Sequence, residues 1–103
     1  MASTTPAVTI YSRRGCHLCE VVRRIAQRIQ QDVPFHLEYV EVDSSPLWLE
    51  RFGNRVPVIL IDQQEACSGK ITEGQLRRAI EKARWRSPIS RILSRLKLAH
   101  TRG

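Results

Sequence analysis

Residues 8–19 read Val8-Thr9-Ile10-Tyr11-Ser12-Arg13-Arg14-Gly15-Cys16-His17-Leu18-Cys19, and the fold turns on how this stretch is parsed. The first four residues are β-branched or aromatic, which is the signature of a short strand. Ser12 to Gly15 is a turn. From Leu18 the apolar residues Leu18, Val22, Ile25 and Ile29 recur at helical spacing, widened by Cys19, Val21 and Ala26. Arg23, Arg24, Gln27, Arg28 and Gln31 fall on the opposite side, so the pattern predicts an amphipathic helix to about Gln31. Two cysteines therefore sit at the point where a strand gives way to a helix.

Working outward, Asp32-Val33-Pro34 ends that helix, and Leu37 to Val42 forms the next strand. Leu37 and Tyr39 share one of its faces, Val40 and Val42 the other. Ser45-Pro46 is an N-cap followed by proline at the first helical position. The short helix it opens carries Leu47, Trp48, Leu49 and Phe52, with Gly53 as its stop. Trp48 is expected in the core. Val58-Ile59-Leu60-Ile61 is an unbroken apolar run, expected as a strand buried on both faces. A polar loop, Asp62 to Glu65, leads into a strand over Ala66-Cys67-Ser68. Thr72-x-x-Gln75 is a capping-box pattern. The helix after it turns Leu76, Ala79, Ile80 and Ala83 inward. The order β-α-β-α-β-β-α begins with a right-handed βαβ unit and ends with a hairpin, which one mixed four-stranded sheet flanked by helices accommodates.

The 103 residues suit one domain, expected over 8–83, with 1–7 as a flexible lead-in and 84–103 as a separate segment. Charge divides the same way. Residues 84–103 carry six of the 17 Lys and Arg and no carboxylate, while the other 11 stand against all 10 Asp and Glu, leaving the body at +1. The net charge of +7 is therefore a property of the tail. In that tail Ser87-Pro88 is a helix start, and Trp85, Ile89, Ile92, Leu93 and Leu96 make an apolar stripe among arginines. A basic amphipathic helix over Ser87 to Ala99 is expected, either packed back on the domain or contacting a partner protein or an anionic membrane surface. No motif supports specific nucleic-acid readout. No apolar run reaches the ~20 residues of a membrane span, and residues 1–7 lack the features of a signal peptide. The expected location is cytoplasmic.

Three cysteines in a reducing compartment do not make a disulfide framework. Cys16 and Cys19 form a C-x-x-C at a helix start, where unsatisfied N–H groups and the helix dipole stabilise a thiolate. The thiol pKa should fall below the free value of ~8.5. Arg13 and Arg14 would add positive charge, as would His17 when protonated. Cys16 is the expected nucleophile. Cys19, one turn on and within the apolar stripe, is the expected resolving thiol. Half a zinc site is the competing reading, but no second C-x-x-C exists, and His36, Cys67 and His100 are not at finger spacing. No metal is expected. Cys67, in a strand pattern, is expected as a small buried hydrophobe.

At these residues the chain resembles the glutaredoxins of the thioredoxin-like superfamily, and its G-C-H-L-C form is closer to the uncharacterised bacterial glutaredoxin-like families than to classical members with C-P-Y-C. Arg55-Val56-Pro57 matches the family's T-V-P, and Ser68-Gly69 falls where classical members have Gly-Gly. The resemblance runs from about Val8 to Ala83. It implies a thioredoxin-like α/β fold and a thiol–disulfide oxidoreductase acting on protein or low-molecular-weight disulfides. Pro57 would be a cis-proline facing the cysteines, Val56 would offer its backbone to an extended peptide or glutathione, and Arg13 would sit where classical members place a lysine. Arg14, His17, Arg55, Ser68 and Gly69 complete the expected substrate-binding set. No bound cofactor is implied. The reductant would be glutathione or a thioredoxin-reductase-type enzyme. Leu18 stands in place of the motif's tyrosine, Arg55 in place of threonine, and Ser68 to Thr72 lacks the second glycine and the aspartate that hold glutathione's terminal groups. The alternative is a redox-sensing or protein-binding module on the same fold.

Overall fold

The computed structural model describes residues 5–85. The helix expected over Ser87 to Ala99 lies outside the described residues, as do residues 1–4. The elements are β1 (Ala7–Ser12), α1 (His17–Gln30), β2 (His36–Glu41), a 3-10 turn (Val42–Ser44), α2 (Pro46–Phe52), β3 (Val58–Ile61), β4 (Gln64–Ser68) and α3 (Glu73–Arg84). The sheet order is β2-β1-β3-β4. β1 pairs parallel with β2 and antiparallel with β3, and β3 pairs antiparallel with β4. The expected mixed four-stranded sheet with flanking helices is what forms.

Strand alternation sorts the side chains into two cores. Val8 and Ile10 of β1 and Ile59 and Ile61 of β3 meet Val22, Ile25, Ala26 and Ile29 of α1 and Leu76, Ile80 and Ala83 of α3. On the other face Tyr11 and Val58 meet Val42 and Phe52, with Trp48 packed against them. Val58 and Ile59 are both 0% exposed, so β3 is buried on both faces, as its unbroken apolar run requires. Truncating Ile59 to alanine would cost about 2–5 kcal/mol, the transfer loss plus the cavity left by partial relaxation.

Helix ends follow the sequence signals. Ser45 Oγ accepts the Leu47 N–H at 3.3 Å, with Pro46 opening α2. At α3, Thr72 Oγ1 accepts from the Gln75 N–H at 3.1 Å and Gln75 Oε1 accepts from the Thr72 N–H at 2.9 Å, a complete capping box. Arg77 bonds both Glu73 at 3.1 Å and Asp32 at 3.2 Å, and Arg28 bonds Glu73 at 2.6 Å, joining the end of α1 to the start of α3.

Four details differ from the sequence expectation. β1 starts at Ala7, whose N–H donates to Asp62 Oδ1 at 3.1 Å and whose carbonyl accepts the Asp62 N–H at 2.8 Å, and Pro6 is buried. Ala7 thus belongs to the sheet, and the Pro6 carbonyl just before it accepts the His36 N–H at 2.9 Å. Val42 leaves β2 for the 3-10 turn yet stays fully buried. β4 starts at Gln64, so the hairpin turn is only Asp62-Gln63, both with positive φ (51° and 69°). Such a turn matches the strand twist but normally advertises itself with Asn or Gly. Gly53 ends α2 in the right-handed region (φ −54°) and not the left-handed one. It is glycine for space: a Cβ there would collide with the Leu49 carbonyl oxygen and lie 3.0 Å from Leu49 Cδ1.

Candidate functional site

β1 ends at Ser12, and the chain turns through Gly15 at φ +73°, a conformation glycine adopts without cost. This delivers Cys16 to the N-cap of α1 with extended backbone (φ −91°, ψ 108°). Its Sγ accepts the Cys19 N–H at 3.2 Å, the position a serine or aspartate oxygen takes in an ordinary cap. Its carbonyl accepts the Glu20 N–H at 3.2 Å. Cys16 and Cys19 are joined as a disulfide with Cα atoms 5.2 Å apart. Cys16 is half-buried and Cys19 is 6% exposed. Of the two, Cys16 is the more exposed and Cys19 is buried.

Arg13 and Arg14 are each held by a carboxylate. Arg13 lies 3.2 Å from Asp43 and reaches the Gly53 carbonyl at 3.5 Å, while Arg14 lies 3.3 Å from Glu41. Their charge is shared with the acidic end of β2 and the turn after it, which leaves the helix end as the first stabiliser of a thiolate. His17 is exposed beside the pair.

The Val56-Pro57 bond is cis. Because Tyr11 pairs with Val58, Pro57 falls level with Ser12, at the sheet end that carries the cysteines. Its carbonyl accepts the Gly69 N–H at 2.8 Å, and Gly69 has φ +74°. This bond ties the end of β4, including Ser68 opposite Val58, to the proline loop. Val56 is half-buried, and among the described residues its backbone N–H and carbonyl make no hydrogen bond. The Arg55 guanidinium forks onto Glu65 of β4 at 2.7 and 3.2 Å. That hydrogen bond holds the Glu65 carboxyl below its ordinary range and raises Arg55. Arg55 therefore braces the loop before Pro57.

No local sequence pattern marks the partners Asp43, Glu41 and Glu65, because each is far from its arginine along the chain. Cys67 lies opposite Ile59 on β4, half-buried against the first core, and burial pushes its thiol up. Among the described residues no three His, Cys, Asp or Glu side chains cluster to hold a metal ion, and no helix is long and apolar enough to cross a membrane. Beside the cysteines lies a groove of about 420 Å³ between the start of α1 and the segment Lys70 to Thr72. A polar cleft of about 180 Å³, walled by Cys19, Arg13, Arg23 and Tyr39, lies between α1 and β2.

Comparison with known proteins agrees with this arrangement. Residues 7–81 match the family model described as Glutaredoxin-like domain (DUF836). An uncharacterized protein of Mycobacterium tuberculosis is 28% identical over 88 residues, covering 81% of this chain and 91% of that one. A Dictyostelium discoideum glutaredoxin-like protein is 29% identical over 75 residues, covering 67% and 69%. Among solved structures, protein Ne2328 of Nitrosomonas europaea superposes with a TM-score of 0.66 at 23% identity, over 78% of this chain and 96% of that one. A thioredoxin variant from Halobacterium salinarum gives 0.65 at 17%, over 82% and 80%. At these identities the structural likeness speaks for the fold. The chain belongs to the glutaredoxin-like family, and its fold is thioredoxin-like.

Proposed function

We propose that this member of the glutaredoxin-like family is a thiol–disulfide oxidoreductase working through Cys16 and Cys19. The observation that carries the reading is the cysteine pair at the N-cap of α1, with the outer sulfur accepting a helix N–H and an unpaired Val56 backbone at the same sheet end. In the reduced protein the Cys16 thiolate attacks one sulfur of a substrate disulfide, forming a mixed disulfide and releasing one substrate thiolate, which takes up a proton. Cys19 loses its proton and attacks Cys16 Sγ. The second substrate thiolate leaves, the Cys16–Cys19 disulfide remains, and two electrons have passed to the substrate. Substrate backbone pairing with Val56 would align the scissile sulfur by strand addition. The cycle closes when glutathione or a thioredoxin-reductase-type enzyme reduces the protein disulfide.

The test is turnover of a model disulfide with each reducing system in turn. Cys16→Ser should abolish exchange. Cys19→Ser should accumulate a mixed disulfide on Cys16, visible by intact-protein mass. Full exchange by Cys16→Ser would remove the assignment.

A further inference from the structure

We infer that the polar cleft between α1 and β2 is a binding site for one small oxyanion, of the size and charge of sulfate or phosphate. The cleft measures about 180 Å³ and is walled by Ser12, Arg14, Cys19, Arg23, Tyr39 and Glu41. Strand register brings the polar groups together. Tyr39 lies level with Ile10 and Glu41 with Ser12 in the parallel β1–β2 pair, and Tyr39 packs against the first core, on the side of the sheet that α1 covers. The space is smaller than the roughly 300–1,000 Å³ usual for small-molecule pockets. A single tetrahedral ion matches that scale, and a nucleotide or a peptide does not.

Hydrogen-bond accounting carries the inference. The Tyr39 hydroxyl is buried and has no partner among the described residues, and a buried polar atom in that state calls for one. The Ser12 hydroxyl and the Arg23 guanidinium likewise make no hydrogen bond or ion pair among the described residues. Arg23 is held instead over the Tyr39 ring, 4.2 Å from its centroid. A guanidinium only donates and each hydroxyl can donate, so the three groups share one unmet need, an acceptor-rich partner. The neighbouring carboxylates do not fill it. Glu41 is taken by Arg14 at 3.3 Å and Asp43 by Arg13 at 3.2 Å. Glu20, the other carboxylate of the lining, is exposed, and its side chain bonds nothing among the described residues. An oxyanion supplies several acceptor oxygens together with the charge that Arg23 lacks, and hydrogen bonds to an ionised acceptor are the strong kind. Cys19 forms part of the wall, so the bound ion opposes negative charge on that thiol.

The test titrates the full oxidised chain with sodium sulfate and with sodium phosphate at constant ionic strength, following the NMR signals of the Tyr39 ring and the Arg23 side chain. Both should shift and saturate in the millimolar range. Tyr39→Phe removes only the hydroxyl, and it and Arg23→Gln should each weaken sulfate binding about tenfold, the usual loss for one hydrogen bond to a charged group. Arg24→Gln makes the same change of charge on α1 outside the cleft lining. It should leave binding within about twofold, because solvent screens an exposed charge at a distance. Glu20→Gln should tighten binding. In the reduced protein, sulfate should slow alkylation of Cys19 more than that of Cys16. A response that never saturates means that water alone fills the cleft, and overturns the inference. So does equal weakening by Arg23→Gln and Arg24→Gln, or unchanged binding by Tyr39→Phe. A phosphoserine peptide that binds more tightly than inorganic phosphate would transfer the site to a phosphorylated chain and overturn its assignment to a free ion. None of these readouts requires disulfide exchange, so the oxidoreductase reading stands or falls separately.

Discussion

The sulfur of Cys16 accepts the backbone N–H of Cys19 at 3.2 Å, so one residue is at once the helix cap and the proposed nucleophile. A thiolate accepts that bond more strongly than a thiol, because the acceptor then carries full charge. The helix therefore favours the form that reacts.

The first prediction follows from that bond. In the reduced protein Cys16 should alkylate faster than Cys19 or Cys67, with an apparent pKa below the free value of about 8.5. Cys19 is shielded, and burial pushes the Cys67 thiol up. Competitive labelling read by peptide mass spectrometry gives the order, and equal rates for the three thiols would remove Cys16 as nucleophile.

A second prediction concerns the anion that offsets Arg13. Asp43 stands 3.2 Å from the guanidinium just before the cysteine turn. Asp43→Asn leaves Arg13 uncompensated, so the loop becomes more positive and the Cys16 thiolate more favoured. The alkylation pKa of Cys16 should drop by a few tenths of a unit, a size set by solvent screening of exposed charges. A rise would mean that Asp43 acts by holding the turn in place.

Acid sensitivity gives a third. Arg77 and Arg28 hold the Glu73 carboxyl below its ordinary range through hydrogen bonds. A carboxyl depressed in the folded state stabilises the fold fully above its unfolded pKa of about 4.3 and loses that contribution as pH falls through the folded value. The stability difference between the natural chain and Glu73→Gln should be largest near neutral pH and shrink below about pH 4. Urea midpoints at several pH values measure it, and a constant difference would show that Glu73 acts through packing alone.

The fourth is a stabilising change. Gln63 sits at φ +69° in the hairpin turn, where an L-residue is disfavoured by roughly 1–2 kcal/mol. Gln63→Gly should stabilise by about 0.5–1 kcal/mol once glycine's greater unfolded-state freedom is offset. A lower urea midpoint would indicate that the Gln63 side chain itself contributes.

The sequence carried most of the fold, because its signals were local. Ser45-Pro46 and the Thr72–Gln75 pair announce helix starts, and the run Val58 to Ile61 announces a strand buried on both faces. The cysteine pair was legible for the same reason, since it lies within three residues at a strand-to-helix junction. What the sequence concealed depended on register or on space. Arg55 reaches Glu65 ten residues away although the hairpin register sets Glu65 opposite Leu60, so no local pattern announces the pair. The groove needs Lys70 to Thr72 to lie across from the start of α1, a juxtaposition no periodicity encodes. Gly53 stops α2 as expected, but it does so because its lack of a side chain admits the Leu49 carbonyl. The Asp62-Gln63 turn has Asp at its first position but lacks the glycine that usually follows, so its two-residue length is not announced.

Among the described residues the sheet order leaves β2 and β4 with one unpaired edge each. An open edge invites the matching strand of a second copy, the first step toward lateral aggregation. On β2 the exposed positions include Glu38 and Glu41. Two copies aligned antiparallel with Glu38 opposite Glu38 would set like charges directly opposite, which disfavours that register. Concentrated stocks of the reduced protein should therefore be limited by intermolecular bridges through Cys16, which a reductant clears, and not by sheets growing edge to edge.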